Sequence, residues 1–152
     1  MPKAAPLYLE DLAVGQTFRS ASVTVDCDRV KAFAAEFDPQ PFHLDEQAAG
    51  ASAFRGLVAS GWHTAALTMR LLVEGDLKVA GGLVGAGVEE LRWPRPVRPG
   101  DTLRVESEVL EVRPSGSRPD RGVVRVRSTT LNQDGQPVMV QVASLIVPRR
   151  PA

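Results

Sequence analysis

The spacing of hydrophobic and polar positions changes several times along this chain, and each change marks a predicted element. Residues 16–25 alternate and are rich in Thr, Ser and Val, which predicts a strand. After Asp26, a residue type favoured at helix N-caps, apolar residues recur with the spacing of one helical face. A proline disfavours helical geometry in the residue before it, so Pro39 is expected to end this helix at Asp38. The apolar residues of that face are Val30, Phe33, Ala34 and Phe37.

A second helical segment is predicted over residues 60–74, with Ser60 as its N-cap. Apolar residues are spread around nearly its whole circumference, and it carries one charge before its last residue. A helix that is apolar on all sides is typical of a buried position. The preceding residues 39–59 are predicted to form a loop with one short helix over residues 45–51.

The second half of the chain is predicted to be β-structure. Residues 79–93 are rich in glycine and then alternate, and three prolines and a glycine make residues 94–101 a connection. The Asn-Gln-Asp-Gly sequence at residues 132–135 is typical of a hairpin turn, with Gly135 at the position that needs a positive φ. The other predicted strands are residues 102–112, 123–131 and 137–147.

Together these elements predict an α+β fold. Consecutive strands favour an antiparallel sheet, and a buried helix needs a layer around it. We therefore expect a curved antiparallel sheet wrapped around one long central helix. The length suits a single domain over residues 1–152, with residues 148–152 as a disordered tail. Because one sheet covers only one side of a helix, we expect a homodimer.

Composition and charge narrow the classes of function. Lys+Arg and Asp+Glu balance at 18 each, which disfavours nucleic acid or an anionic membrane as the main partner. The single cysteine, Cys27, cannot form an intramolecular disulfide, and the chain shows no apolar run typical of a signal peptide or a membrane span. A cytoplasmic protein is the expectation. Two histidines and one cysteine leave little for a metal site, and the glycines of residues 81–87 lack the order of a dinucleotide-binding motif.

The candidate chemistry lies in residues 37–45, where Asp38 and His43 are five residues apart. Pro39 and Pro41 are expected to keep this segment from being a helix. A histidine exchanges protons near neutral pH, and the carboxylate either holds the same water or orients the imidazole. The alternative interpretation is a polar surface loop in which both side chains make turn hydrogen bonds.

Four segments resemble the MaoC-like (R)-specific enoyl-CoA hydratase and dehydratase family, which has the hot-dog fold. They cover the family's opening segment, its active-site loop, the start of its central helix and its connection into the later strands. The loop of the family reads Asp-x-Asn-Pro-x-His, and Asp38, Pro41 and His43 match it. Gln40 replaces the Asn, and Ser60 stands where the family often has His. The segments are residues 7–16, 33–45, 57–61 and 92–103.

The resemblance implies hydration of a 2-enoyl-CoA, or dehydration of a 3-hydroxyacyl-CoA, in fatty acid metabolism. Asp38 and His43 are expected to act together on one water, with syn addition. A helix N-terminus offers free N–H groups, so Gly61 is expected to receive the thioester oxygen as in an oxyanion hole. Ser60 either caps the helix or touches substrate. His63 either points back toward this site or makes a structural or dimer contact.

The resemblance implies no metal and no redox cofactor, because the substrate is carried as a coenzyme A thioester. Arg92, Arg95 and Arg98 either meet the phosphates of coenzyme A or form a solvated basic rim. The expected assembly is a homodimer or a dimer of dimers. Two alternative functions stay open: a hot-dog thioesterase, in which an acid activates water against the thioester carbonyl, and a non-catalytic acyl-CoA-binding protein.

Overall fold

The computed structural model describes residues 5–152, so the first four residues of the predicted domain lie outside it. The helix that was predicted after Asp26 is confirmed, and the Asp26 carboxylate accepts a hydrogen bond from the backbone N–H of Arg29 at 3.0 Å. The helices are α1 (Cys27–Phe37), α2 (Pro41–Leu44), α3 (Glu46–Gly50) and α4 (Gly61–Glu74). The strands are β1 (Thr17–Arg19), β2 (Val23–Thr24), β3 (Val84–Arg92), β4 (Thr102–Pro114), β5 (Arg121–Leu131) and β6 (Pro137–Pro148).

The strands form one antiparallel sheet of six, in the order β1-β4-β5-β6-β3, with β2 also paired to β4. Helix α4 packs against β4 and β6. Alternate residues of β4 are buried on the face toward the helices, as a half-buried strand requires. The hairpin at residues 132–135 is confirmed, with Gly135 at φ 71°. The curved sheet around one long helix is the hot-dog arrangement that the resemblance implies.

The first predicted strand is interrupted. Arg19 pairs with Glu106 and Val23 pairs with Leu103, so three residues of the first segment face two residues of β4. This one-residue excess breaks the ladder into β1 and β2.

The proline-rich loop also differs from expectation. Pro41 occupies the first position of the one-turn helix α2, where its missing N–H removes no intrahelical hydrogen bond. His43 therefore lies on a helical turn.

Helix α4 is not buried on all sides in the single chain, so that prediction is wrong for the chain alone. The sheet covers one side of the helix, and His63, Thr64, Thr68 and Leu71 are buried there. The opposite side carries an exposed apolar stripe, at positions three or four residues apart, and β3 beside it exposes Val84 and Val88. We call these residues together the α4–β3 face. The stripe is Trp62, Ala66, Met69 and Val73.

The C-terminal residues differ from the predicted disordered tail. Strand β6 runs to Pro148, and the Arg150 guanidinium bonds both carboxylate oxygens of Asp11 at 2.6 and 2.7 Å. The backbone N–H of Arg150 also donates to Glu10 at 2.9 Å. These contacts tie the end of the sheet to the N-terminal segment. Among residues 5–152, no helix has the length and apolar character needed to cross a membrane.

Candidate functional site

His43 is buried on α2, and both of its ring nitrogens face a partner. Nδ1 lies 2.7 Å from the carbonyl oxygen of Val58. A carbonyl oxygen only accepts, so Nδ1 carries the hydrogen. Nε2 lies 3.2 Å from Oδ2 of Asp38. At this distance the carboxylate oxygen can accept a hydrogen bond from a proton on Nε2.

Asp38 is the C-cap of α1 and reaches His43 from the end of that helix. Gln40 donates from its amide nitrogen to the other carboxyl oxygen, Oδ1, at 2.5 Å. Partial burial raises the pKa of the Asp38 carboxyl. Hydrogen bonds from Ser60, Gln40 and the His43 ring, with the charge of the ring, outweigh the burial and hold this pKa below its usual value. Asp38 is therefore a carboxylate at neutral pH.

Ser60 is fully buried at the N-terminus of α4. Its hydroxyl accepts a hydrogen bond from the N–H of Trp62 at 3.2 Å, which makes it the predicted N-cap. The same hydroxyl lowers the pKa of the Asp38 carboxyl. Of the two roles expected for Ser60, capping and contact with substrate, the structure shows capping.

Gly61 follows this cap, and its N–H is paired with no acceptor among the described residues. The Trp93 indole lies directly over it and donates from Nε1 to the Gly61 carbonyl at 3.0 Å. A Cβ on Gly61 would lie 2.6 Å from the Trp93 ring, closer than side-chain carbons approach in proteins. The approach of Trp93 therefore requires glycine at this position. The Gly61 N–H is one of the amides at the helix N-terminus that have no intrahelical acceptor.

One cavity of about 370 Å³ brings these groups together. Asp38, His43 and Gly61 line it, with Gln40 and the buried Thr64 beside them. Four of the eight aromatic residues of the chain also line it, and an apolar wall with a few convergent polar groups is typical of a small-molecule site. The aromatic residues are Phe42, Phe54, Trp62 and Trp93.

The three candidate arginines lie in different surroundings. Arg95 lines the cavity, and no salt bridge joins it to another described residue. Arg92 forms an ion pair with Glu90 at the end of β3, with Nε and Oε1 2.5 Å apart. Arg98 donates from Nη2 to the carbonyl oxygen of Phe54 at 2.6 Å. Arg95 alone of the three reaches the cavity.

His63 does not point into this cavity. Its ring stacks on Phe33, with centroids 4.8 Å apart and planes 8° from parallel. Nδ1 is buried and has no hydrogen-bond partner among the described residues. Burial lowers the pKa of His63, and the nearby charge of Arg29 lowers it further. The structure therefore favours the structural role among those expected for this residue.

Two features of the site could not be predicted from the sequence. The Val58 carbonyl that fixes the tautomer of His43 belongs to the backbone, which every residue has. The wall made by Phe54 depends on a turn whose position is set by contacts distant in sequence. Within residues 5–152, no group of three or more His, Cys, Asp or Glu side chains is arranged to hold a metal ion.

Comparison with known proteins identifies the family of this chain. A crystal structure of the MaoC-like dehydratase from Rhodospirillum rubrum is 60% identical, with a TM-score of 0.93, over 96% of this chain and 99% of that one. The uncharacterized protein YdeM of Bacillus subtilis is 33% identical over 143 residues, which are 94% of this chain and 100% of the relative. An (R)-specific enoyl-CoA hydratase of Rhodospirillum rubrum is 28% identical over 148 residues, covering 94% of this chain and 93% of the relative. The sequence model of the MaoC-like domain matches residues 11–132, and the chain therefore belongs to this family.

Proposed function

We propose that this chain hydrates a 2-enoyl-CoA thioester and, in reverse, dehydrates the 3-hydroxyacyl-CoA. The observation that carries the proposal is the 3.2 Å contact between Nε2 of His43 and Oδ2 of Asp38, in the cavity that Gly61 also lines. Hydration needs a base, an acid and a donor to the thioester oxygen, and these three groups supply one each. Membership of the MaoC-like family and the similarity to an (R)-specific enoyl-CoA hydratase support the same reaction.

In the proposed cycle Nε2 of His43 carries a proton and Asp38 is a carboxylate, in line with the lowered pKa of Asp38. A water bound by the carboxylate attacks C3, forms the C–O bond and gives one proton to Asp38. The C2–C3 π electrons move toward the thioester, and C2 takes the proton from Nε2. The proton on Asp38 then returns to Nε2 across the 3.2 Å contact, which restores the pair. Because both groups lie on one side of the substrate, the addition is syn.

The free N–H of Gly61 is the proposed donor to the thioester oxygen, where negative charge develops during attack. A fixed donor at the positive end of a helix stabilises this charge without reorganisation. Loss of one such donor typically lowers kcat by about a hundredfold to a thousandfold. Arg95, at the rim of the same cavity, is the proposed contact for the phosphates of coenzyme A.

The direct test is hydration of crotonyl-CoA by the purified chain, followed by loss of the enoyl-thioester absorbance. Turnover is expected, and Asp38→Asn and His43→Ala should abolish it. Asp45→Asn is the matched control, since Asp45 is a nearby carboxylate that caps α3 and does not line the cavity.

Three results would contradict the proposal. The first is no hydration of crotonyl-CoA, of longer enoyl-CoAs or of branched unsaturated diacid CoAs. The second is release of free thiol from saturated acyl-CoAs, which a thioesterase produces and a hydratase does not. The third is ligand binding without any turnover that survives loss of His43, as expected for a binding protein.

We also infer a homodimer that covers the α4–β3 face. Strand β3 pairs with β6 on one side only, so its other edge offers unpaired backbone groups beside the exposed stripe of α4. A second copy of the chain would extend the sheet and bury this apolar surface. The proposed coenzyme A thioester substrate suits the expected cytoplasmic location. Sedimentation velocity at micromolar concentration measures the assembly, and a monomer there would contradict the inference.

A further inference from the structure

One wall of the cavity is made by a short turn before α4, residues 52–56. Its aromatic side chain, Phe54, packs on the ring of Phe42 with centroids 5.2 Å apart. Phe42 in turn meets the ring of His43 edge to face at 4.5 Å. Both phenyl rings line the cavity. The turn therefore sets how much space lies beside the catalytic histidine.

The backbone of this turn is held in an unfavourable conformation. Arg55 has φ 57°, and it is the single non-glycine residue with positive φ among residues 5–152. A residue with a Cβ adopts this region only when its surroundings impose it. The two neighbours of Arg55 are Phe54 and Gly56, and the same side chain contacts both.

That side chain is Arg98. Its Nη2 donates to the Phe54 carbonyl at 2.6 Å, and its Nη1 lies so close to Gly56 that a Cβ there would be 3.1 Å away. Its own backbone is fixed, because its N–H donates to the Asp101 carboxylate at 2.9 Å and its carbonyl accepts from the N–H of Asp101 at 3.0 Å. The guanidinium thus bridges the two residues on either side of the strained position.

We propose that Arg98 is a positioning residue that holds Phe54 against the cavity, and that Phe54 limits the size of the acyl group. The role in acyl-group selection rests on the proposed hydratase function. The positioning of the turn by Arg98 can be tested separately. It assigns Arg98 to acyl-group selection, which differs from contact with the phosphates of coenzyme A.

The first experiment compares kcat/KM for crotonyl-CoA and for six- and eight-carbon 2-enoyl-CoAs. Phe54→Ala should raise the preference for the longer substrates by about tenfold, the range of discrimination given by one or two methylenes in an apolar pocket. Arg98→Ala should move the preference in the same direction. The double variant should add little to Phe54→Ala, since both changes remove the same wall. Arg98→Lys keeps one donor for the Phe54 carbonyl and should restore part of the original preference.

Arg92→Ala is the matched control, because Arg92 belongs to the same basic segment and its partner is the surface residue Glu90. The pH profile should stay the same in all of these variants, since Asp38 and His43 are untouched. An equal rise in KM for every acyl-CoA in Arg98→Ala would indicate a phosphate contact and overturn the proposal. A shift in Arg98→Ala that adds fully to that of Phe54→Ala would overturn it as well.

The second experiment needs no activity. Trypsin cleaves after arginine, and Arg55 is exposed at the centre of the turn. With the Arg98 guanidinium in place, the peptide bond after Arg55 should resist trypsin. Trypsin should cut this bond several times faster in Arg98→Ala than in the wild type, and at the wild-type rate in Arg92→Ala. Unchanged cleavage in Arg98→Ala, with a folded circular dichroism spectrum, would overturn the positioning role even if the chain is a hydratase. A wild-type chain without hydratase activity would overturn the proposed function and leave this result to stand or fall by itself.

Discussion

His43 and His63 are the two histidines of this chain, and they are 5% and 7% exposed. Both nitrogens of His43 face an oxygen, Val58 O on one side and the Asp38 carboxylate on the other. His63 lies flat on Phe33, and its buried Nδ1 has no partner in the described part of the chain. Burial is nearly the same in the two cases, so burial does not distinguish a reactive histidine from a structural one. The partners of the two ring nitrogens do.

The two histidines also differ in the charged groups around them. The Asp38 carboxylate lies beside Nε2 of His43, whereas the Arg29 guanidinium near His63 opposes a positive charge on that ring. Burial and this charge hold the pKa of His63 below its usual value, so its ring is neutral at neutral pH, whereas Nε2 of His43 faces a hydrogen-bond acceptor. Three measurements test this difference, and they are ordered by the size of the expected effect.

The largest effect is expected in activity. His43→Gln removes the proposed proton donor and should lower kcat/KM by about a hundredfold to ten-thousandfold. His63→Phe keeps the stacking on Phe33 and should leave kcat/KM close to that of the wild type. Steady-state hydration of crotonyl-CoA measures both, and comparable losses in the two variants would contradict the division of roles.

A smaller effect is expected from Ser60→Ala. Without the Ser60 hydrogen bond, the pKa of Asp38 should rise toward the usual value for aspartate, about 3.9. In the proposed mechanism the carboxylate form of Asp38 is needed for activity and is lost as pH falls through this pKa, so the acid limb of the kcat/KM profile should move to higher pH. The Asp38 carboxyl should also be less well oriented in this variant, which should lower kcat by about tenfold to a hundredfold.

The pH–rate profile of Ser60→Ala is compared with that of Ser115→Ala. Ser115 also bonds the backbone, because its hydroxyl accepts from the N–H groups of Ser117 at 3.3 Å and Arg118 at 3.0 Å, and it does not line the cavity. An acid limb that stays in place in Ser60→Ala, with the helix intact, would show that the hydroxyl does not control the acid.

The smallest effect concerns stability and belongs to His63. Its pKa is lowered in the folded chain, while the unfolded chain has the usual value of about 6.5. The unfolded state therefore takes up a proton first as pH falls through this value, so the contribution of His63 is complete above about pH 6.5 and is lost below it. His63→Phe should remove this part of the pH dependence. It should also stabilise the fold by about 1 kcal/mol at neutral pH, because no unpartnered nitrogen remains buried.

Urea denaturation at about pH 7.5 and pH 5.5 measures this prediction. The difference between the two pH values should be smaller for His63→Phe than for the wild type. An equal difference in both proteins would mean that His63 does not contribute to the pH dependence.

Much of the fold was predictable because its signals are local. The N-cap Asp26 and the apolar spacing that follows it define α1 without reference to any other part of the chain. Alternation placed the long strands, and the Asp38 and His43 spacing pointed to the cavity where both are found. The interruption between β1 and β2 was not predictable, since it depends on the register against β4.

The remainder of the site required three-dimensional contacts. The sequence shows that α4 is apolar on every side, but it does not show which of these sides other elements of the same chain cover. Likewise, Arg98 and Phe54 are 44 residues apart, and no sequence pattern predicts their contact. Prolines around His43 suggested an extended loop, and only the position of Pro41 at a first helical residue made a turn of helix favourable.

The order of the strands also has a consequence for synthesis of the protein. Strand β3 finds its place in the sheet through β6, which follows it by more than forty residues and is the last strand of the sequence. Trp93 comes directly after β3 and covers Gly61, so the Gly61 side of the cavity should be completed only after β6 has left the ribosome. A nascent chain that already contains Asp38, His43 and α4 therefore holds an incomplete site. A premature stop before β6 should abolish the proposed hydratase activity, although all of the proposed catalytic residues are present.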